Sequence, residues 1–315
     1  MKKILPIDPS PIIKTYPSEG NYLSILNANG FDTDGILINH YINIYYSQNS
    51  IGFIEYDYIK TNKFQRMDFN FSRHNLINKI KEELNNNHYV SLILNEYLIK
   101  STQIQCSNNY CHDWLIYGYD DDTCLFKTLG YYSRQSEKNK IYGTLDISYN
   151  DILESAISAL QIDHKYKGSS IDNHSAWINR NNIEEAVNPQ KIRKLLKRYL
   201  KGGMIYKKQL FAITGEKAVL YVNPSHNMHG KDLRLQSYSL YFENKKIIFL
   251  FLNRCFPNQK CIKDYKEYVL KNVYKVLLLF AKNQLKPVTN INNKITELLS
   301  IAIASEKKIL KDLIY

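Results

Sequence analysis

His112 has the position in this sequence that the general base of an acyl-transfer site requires. It lies just before residues 115–119, which are apolar or aromatic apart from Gly118, and residues 120–123 are typical of a hairpin turn. The sequence therefore predicts a histidine at the mouth of a buried strand. The alternative is a histidine that orders the strand end through ordinary hydrogen bonds. Adjacent strand residues face opposite ways, so the neighbouring thiol of Cys111 is predicted to be structural.

The first half of the chain combines short helices and strands around this histidine. Periodicity predicts helices over residues 21–29, ending at Gly30, and 76–84, a hairpin of residues 41–46 and 51–56, and strands over 89–94, 124–128 and 142–147. Turn-forming serine and asparagine residues separate the two arms of the hairpin.

The second half of the chain is predicted to be mostly helical. From residue 189 onward most apolar residues recur at helical spacing, as in the stripe that begins at Val269 and the stripe that begins at Ile295. The polar segment 166–188 is the best linker candidate, although Trp177 suggests that part of it packs down. The sequence therefore predicts an α+β protein with a sheet domain over residues 1–165 and a mostly helical domain over residues 189–315.

Composition limits the class of protein and its compartment. The chain has 315 residues, of which 44% are hydrophobic, enough for two folded units. Its five cysteines form no paired metal-binding or disulfide pattern, which favours reduced thiols in the cytoplasm. The N-terminus lacks a secretory core, and the most apolar run, residues 276–281, is too short to cross a bilayer. No membrane association is expected.

A net charge of +12 favours an anionic partner. The densest run of positive charge, residues 191–201, alternates with apolar residues at helical spacing and is predicted to be the solvated face of an amphipathic helix. The sequence contains no nucleic-acid-binding signature, so nucleic acid is not an expected partner. It also lacks a phosphate-binding or dinucleotide glycine motif, and His226 and His229 lie in a turn-rich segment. We therefore expect neither a cofactor nor a metal.

Several segments together resemble a known family. In the first half these are LNEYLIKS at residues 94–101, CHDWLIYGYDD at 111–121, FKTLGYY at 126–132 and ISYNDILESAI at 147–157. They are similar to the N-terminal domain of the butirosin biosynthesis protein H family, which has a papain-like acyltransferase and peptidase fold. In the second half, residues 191–200 and 232–252 and the two terminal helices resemble the helical half of related proteins found with nonribosomal peptide synthetases. The resemblance implies a papain-like, antiparallel sheet domain.

The resemblance also implies a nucleophile at the start of the first helix. Family members that catalyse use a cysteine there, because the helix N-terminus and a nearby histidine favour the thiolate. This chain has no cysteine before Cys106, and the matching position falls on Pro17 or, with a one-residue shift, on Ser18. If Ser18 attacks a carbonyl, it needs His112 within hydrogen-bond reach. The favoured alternative is that Ser18 is the N-cap of the helix.

The third member of such a site is an acid or amide on the strand that follows the histidine. Thr128 is the nearest polar match on that strand, beside Lys127 and Leu129. Asp113 adjoins His112 and should point to the opposite face of its strand. The candidate catalytic set is therefore His112, Ser18 and Thr128, without a complete triad.

Two functions follow from the resemblance. The first is a degenerate papain-like acyltransferase or peptidase homologue of natural-product biosynthesis, which takes an acyl or peptidyl group from an acidic carrier protein and passes it to a peptide or small-molecule acceptor. The second is a non-catalytic module that only binds a peptide or protein. The missing cysteine and the missing orienting acid favour the second more than composition does.

Overall fold

The computed structural model describes most of the chain and divides it into two compact units. The described residues are 1–47, 50–55, 57–99, 111–132, 141–163, 172–179, 185–207, 210–215, 218, 235–257, 259–285 and 290–314. Unit 1 comprises Met1–Phe31 and Ile59–Ile183, and unit 2 comprises Asp32–Tyr58 and Glu184–Tyr315.

Strands occur in both units. They are β1 (Lys2–Ile4), β2 (Ile44–Ser47), β3 (Ser50–Phe53), β4 (Phe64–Asp68), β5 (Tyr89–Asn95), β6 (Cys111–Asp120), β7 (Leu125–Tyr132), β8 (Ile141–Ser148), β9 (His174–Ile178), β10 (Gly203–Lys207) and β11 (Leu210–Thr214).

Helices also occur in both units. They are α1 (Pro17–Ala28), α2 (Asp34–His40), α3 (Tyr58–Asn62), α4 (Leu76–Asn85), α5 (Tyr149–Asp163), α6 (Pro189–Lys201), α7 (Leu235–Cys255), α8 (Lys260–Asp264), α9 (Lys271–Leu285) and α10 (Ile291–Ile314). A short 3-10 helix, Glu96–Leu98, follows β5, and a π-helix, Tyr265–Leu270, joins α8 to α9.

Unit 1 is built on an antiparallel sheet. Its described strands follow the order β4-β9-β5-β6-β7-β8, and every neighbouring pair runs antiparallel. The register of β6 against β7 shifts between Ile116 and Gly118, and β1 pairs with the segment of β6 that follows this irregularity. With its helices, the protein has the α+β fold predicted from the sequence.

The two faces of this sheet carry different side chains. Leu92, Leu94 and Trp114 are fully buried on one face, where α4 and α5 pack against β5. Gly130 on β7 is required beneath Trp114, because a Cβ atom at this position would come within 2.8 Å of the indole ring. The alternate residues of β5 and β6, Ser91 among them, project from the other face, where α1 packs.

Unit 2 contains more sheet than the sequence predicted. The predicted hairpin is confirmed as β2 and β3, but β2 also pairs with β11, giving a sheet of the order β10-β11-β2-β3. Residues 32–58 therefore belong to the helical unit rather than to the predicted domain 1–165. The imidazole of His40 helps to fix this insertion, with Nδ1 2.5 Å from Glu55 Oε2 and Nε2 2.9 Å from Glu185 Oε2.

The predicted linker is also partly wrong. Within residues 166–188, β9 is an internal strand of the unit 1 sheet, paired antiparallel with β4 on one side and β5 on the other. Ala176 is almost fully buried there, and Trp177 donates a hydrogen bond from Nε1 to Gln65 Oε1 at 2.6 Å. The strand has five residues in the described part of this segment, which is too short a run for periodicity to identify.

A buried charged cluster joins four elements of unit 2, which are α6, α7, the π-helix and α10. The ammonium of Lys245 on α7 donates to both carboxylate oxygens of Glu306 on α10, at 2.9 and 2.7 Å, and both side chains are nearly inaccessible to solvent. The hydroxyls of Tyr199 and Tyr265 donate to the same carboxylate at 2.9 and 2.6 Å. Burial, reinforced by Glu306, raises the pKa of both phenols well above the usual range, so they act as donors.

No helix in the described part of the chain is both long enough and apolar enough to cross a membrane.

Substitutions at Lys245 test the importance of this cluster. We expect Lys245→Met to lower the free energy of unfolding by about 3–5 kcal/mol, because it leaves the Glu306 carboxylate buried without its counter-ion. The double variant Lys245→Met/Glu306→Gln should recover most of this loss. Urea unfolding of the whole protein, monitored by circular dichroism, measures the free energy of unfolding of both variants. Lys271→Met is the matched control, because the Lys271–Glu267 pair is exposed, so solvent screens it and its loss should hardly change the free energy of unfolding. Equal losses in Lys245→Met and the control would contradict this account.

Candidate functional site

A small cavity lies between α1 and the sheet of unit 1. Three side chains come from α1 and the others from α3, from β5, β6 and β9, and from the residues just before β9. The lining residues are Ser18, Asn21, Tyr22, Lys60, Ser91, Asp113, Leu115, Asp172 and His174. Its enclosed volume is about 10 Å³, which is roughly the room that one water molecule needs. Seven of the nine lining residues are polar or ionisable side chains other than tyrosine, which suits proton chemistry better than storage of an apolar ligand.

The first turn of α1 forms one wall of the cavity. The helix begins at Pro17, whose fixed φ suits the first helical position, with Tyr16 as N-cap. Ser18 is therefore inside the helix, and the expectation that it is the N-cap is wrong. Tyr142 on β8 donates a hydrogen bond to Asn21 Oδ1 at 2.8 Å and anchors this turn. Gly20 permits the close approach, since a Cβ atom there would lie 3.0 Å from the Tyr142 hydroxyl.

His174 begins β9 and is the histidine that faces this cavity. It pairs in register with Ser91 of β5 and is almost fully buried. Its Nδ1 atom lies 2.8 Å from the carbonyl oxygen of Asp172 and 3.2 Å from the carboxylate Oδ1 of the same residue. Because both are acceptors, Nδ1 carries the proton, and Nε2 of the neutral ring is left as the acceptor.

Asp172 orients this imidazole and is itself held by two cations. Its carboxylate also contacts the ammonium of Lys60 and the guanidinium of Arg66. The hydrogen bond from His174, helped by Lys60 and opposed by partial burial, holds the pKa of the Asp172 carboxyl far below its usual range. The carboxylate is therefore ionised at neutral pH, and it can stabilise a protonated His174.

The other nitrogen of His174 is occupied by a phenol. The hydroxyl of Tyr22 makes a short hydrogen bond to His174 Nε2, and the planes of the two rings are nearly parallel, with centroids 6.2 Å apart. Burial is the largest cause that raises the pKa of Tyr22 far above its usual range, although nearby Arg66 opposes it. The phenol therefore keeps its proton at rest and donates it to the imidazole.

Asp113 is the second carboxyl of the cavity. Burial raises its pKa, while Lys60, His112 and His174 oppose that shift by charge attraction. It makes no hydrogen bond to another residue within the described part of the chain. An unpaired carboxyl in such a position is available to a bound molecule, either as an acceptor when ionised or as a donor when protonated.

The structure does not bring the three predicted catalytic residues together. Ser18 lines the cavity, but the residue of β6 beside it is Asp113, so the strand pleat directs His112 to the opposite face. There His112 Nδ1 lies 2.5 Å from Oε1 of Glu96, a fully buried carboxylate. Thr128 is buried and donates its hydroxyl to the carbonyl oxygen of Leu145 at 2.8 Å. Because this hydroxyl proton is used by the Leu145 carbonyl, it does not orient the imidazole of His112.

The histidine, cysteine and acidic side chains of the described residues form no candidate metal site. The described residues contain no group of three or more histidine, cysteine or acidic side chains that could hold a metal ion. Cys111, Cys124, Cys255 and Cys261 form no disulfide within the described residues, and Cys111 shares the face of β6 that carries Asp113. His226 and His229 lie outside the described residues.

Sequence reasoning missed His174, Asp172 and Tyr22. His174 and Asp172 fall inside the predicted linker, and Tyr22 is one of 26 tyrosines, on a helix with little amphipathic pattern. The one available signal was the run HSAWI at residues 174–178, a short apolar segment that starts with a histidine. Like the strand that contains His112, this run has apolar residues after a histidine, but the run is much shorter.

The observed array has the order of a catalytic triad: a hydroxyl, an imidazole and a carboxylate. The phenol of Tyr22 contacts His174 Nε2, and Asp172 contacts His174 Nδ1. Such an array moves a proton from the hydroxyl to the imidazole while the hydroxyl oxygen attacks an electrophile. Ser18 provides a second hydroxyl one helical turn from Tyr22, on the same face of α1.

Substitution of Asp113 tests the electrostatics of the cavity. We expect Asp113→Asn to raise the free energy of unfolding at pH 7, because it removes a carboxylate whose pKa burial has raised. The group binds its proton more tightly when folded, so the wild type loses stability as pH rises through the folded-state pKa. The gain of the variant over the wild type should therefore shrink as pH falls toward about 4, the value of an unperturbed carboxyl. Thermal unfolding between pH 3.5 and 8 measures this, and a gain that is independent of pH would contradict it.

Comparison with known proteins leaves the family open. No protein-family model matches the chain, and no curated protein matches it.

Proposed function

We propose that this protein is a papain-like acyltransferase homologue of natural-product biosynthesis that lacks the usual thiol. In this proposal, the carbonyl of an acyl or peptidyl group from a carrier protein reacts at the mouth of the cavity of unit 1, and a hydroxyl of the cavity accepts the group. The observation that carries the proposal is the contact between Asp172 and His174, directly beside two hydroxyl side chains of α1.

The electrostatics of the cavity support acyl transfer. A base that removes a proton from a hydroxyl becomes an imidazolium, and the ionised Asp172 stabilises that cation. The positive end of the α1 dipole lies at the Ser18 end of the cavity, where it favours the negative charge that develops on a carbonyl oxygen under attack. The arrangement thus provides a base, an orienting acid and a favourable field for an oxyanion.

The distribution of charge supports an acidic carrier protein as the donor. Unit 2 has 25 lysine and arginine residues against 14 acidic residues, a net charge of +11, whereas unit 1 is nearly neutral. Attraction of this kind accelerates the encounter with an acidic protein. The acceptor in this proposal is a peptide or small molecule, and the reaction takes place in the cytoplasm, where thiols such as Cys111 and Cys255 remain reduced.

A second candidate function is a binding module without catalysis. The observation that favours it is the absence of any cysteine before Cys106, so the first helix has no thiol to form a thioester. In this case the cavity holds part of a peptide or of an acyl group, and His174 only donates or accepts hydrogen bonds.

Intact-mass spectrometry after incubation with acylated carrier protein tests the proposal. We expect the mass of the wild-type protein to increase by that of the acyl group, and we expect His174→Gln to slow this reaction by at least about 100-fold, the usual contribution of a general base. His88→Gln is the matched control: this histidine is in the same unit and also contacts a carboxylate, Glu83 at 2.8 Å, but it does not line the cavity.

The other outcomes distinguish the alternatives. Loss of the adduct in His112→Gln, with His174→Gln unaffected, would transfer the role of base to the histidine predicted from the sequence. Carrier binding without any adduct, equal in the wild type and in His174→Gln, would reject acyl transfer and support the binding module. Asp172→Asn should slow the reaction as His174→Gln does, since it removes the carboxylate that stabilises the imidazolium.

A further inference from the structure

We infer that Tyr22 is the nucleophile of this site, and that its phenolic oxygen accepts the acyl group in place of the missing cysteine. This inference rests on the proposed function, because it identifies the reacting atom of the same cavity. It differs from the sequence-based expectation, in which Ser18 is the attacking hydroxyl.

Hydrogen bonding distinguishes Tyr22 from Ser18. Tyr22 is the hydroxyl residue in direct contact with Nε2 of His174, so its proton already points at the base. An activated nucleophile is recognised by such a contact, with the base oriented in turn by a third group, here Asp172. With Tyr22 on Nε2, the acceptor atom of the neutral imidazole is occupied and is not available to Ser18.

The packing of Tyr22 holds this geometry. Its ring contacts Phe64 at a centroid distance of 4.5 Å, and its hydroxyl is held by His174 Nε2. The side chain is almost fully buried, yet it lines the cavity next to Asn21 and Ser18. The phenol is therefore fixed in one orientation, which reduces the entropy lost when it attacks a bound carbonyl.

A phenol is also the hydroxyl that is chemically closest to a thiol. An ordinary tyrosine has a pKa of about 10 and an ordinary cysteine about 8.5, so both form better leaving groups than the alkoxide of serine. Burial raises the pKa of Tyr22 above that ordinary value, so its attack depends on transfer of the phenolic proton to His174 as the new bond forms. An aryl ester formed on Tyr22 therefore retains enough reactivity to pass its acyl group to an acceptor, as a thioester does. A serine ester is more stable and transfers the group less readily.

The reaction balances without any further reagent. The Tyr22 oxygen attacks the thioester carbonyl of the donor, and its proton passes to His174 Nε2. The C–S bond then breaks, the sulfur leaves with the proton that His174 returns, and an O–C bond to Tyr22 remains. In the second half, an amine or a water molecule attacks that ester carbonyl, loses a proton through His174 and restores the phenol.

Ser18 has a different role in this scheme. It lies one helical turn before Tyr22, at the N-terminal end of α1, and its hydroxyl lines the cavity. From this position it can donate a hydrogen bond to the oxygen of the substrate carbonyl. We therefore expect Ser18→Ala to slow acylation without removing the site of attachment.

Peptide mapping of the acylated protein tests the inference. After reaction with acylated carrier protein, we expect tandem mass spectrometry to find the acyl group on Tyr22, and neutral hydroxylamine to release it, since aryl esters react with hydroxylamine far faster than serine esters. Tyr22→Phe should reduce the adduct by at least about 100-fold while keeping the ring contacts. Tyr89→Phe is the matched control, because this buried tyrosine of the same unit donates to the Pro6 carbonyl and does not line the cavity.

A second acyl donor separates failure of the inference from failure of the proposed function. An adduct on Ser18, or one that persists in Tyr22→Phe, would overturn the inference and leave acyl transfer in place. If the carrier protein gives no adduct, p-nitrophenyl acetate is used instead: acetylation of Tyr22 that is lost in His174→Gln supports the inference and rejects only the carrier as donor. No modification of Tyr22 by either donor would overturn it. Circular dichroism of Tyr22→Phe establishes that a negative result does not come from unfolding.

Discussion

The contact between the Asp172 carboxylate and Nδ1 of His174 is the interaction on which the candidate site depends. It fixes the proton on Nδ1 and leaves Nε2 to accept from Tyr22. His174 and Lys60 lower the pKa of the Asp172 carboxyl, so the carboxylate is ionised and can stabilise a positive charge on the ring. Without the carboxylate, the same imidazole would be a buried polar group with no means of stabilising its protonated form.

The sheet of unit 1 makes this contact possible because β9 is an internal strand. Pairing with β4 and β5 fixes the backbone around His174, and Asn173 contributes by accepting a hydrogen bond from the amide of Ile93 at 2.8 Å. The strand pleat then separates two environments. Trp114 and Leu94 pack against helices on one face, while the polar side chains of the cavity, Asp113 among them, collect on the other.

The two units use buried charge in different ways. In unit 2, Lys245 and Glu306 neutralise each other, and two phenols complete the hydrogen bonding of the carboxylate, so the cluster fixes the packing of four elements. In unit 1, Asp113 is partly buried without a hydrogen bond from a described residue. A carboxyl that costs stability in this way is typical of functional sites, where the geometry serves a ligand rather than the fold.

Much of the local structure could be predicted from the sequence. The hairpin of β2 and β3, the strands β5 and β6, the helix α4 and the end of α1 before Gly30, whose φ is +79°, all follow from patterns within a few residues. The α+β class follows from the same patterns. These predictions succeed because periodicity and turn chemistry are local properties of the chain.

The site itself was decided by tertiary structure. Ser18 was correctly located at the beginning of a helix, but its expected partner His112 projects from the other face of the sheet and pairs with Glu96. The histidine that does reach α1 is 152 positions from Tyr22 in the sequence. A sequence pattern shows which residues share a face of one strand or helix, but the pairing of distant strands determines which faces meet. The sequence by itself showed that no cysteine lies at the start of α1. Only the fold showed that the hydroxyl of Tyr22 lies against Nε2 of His174.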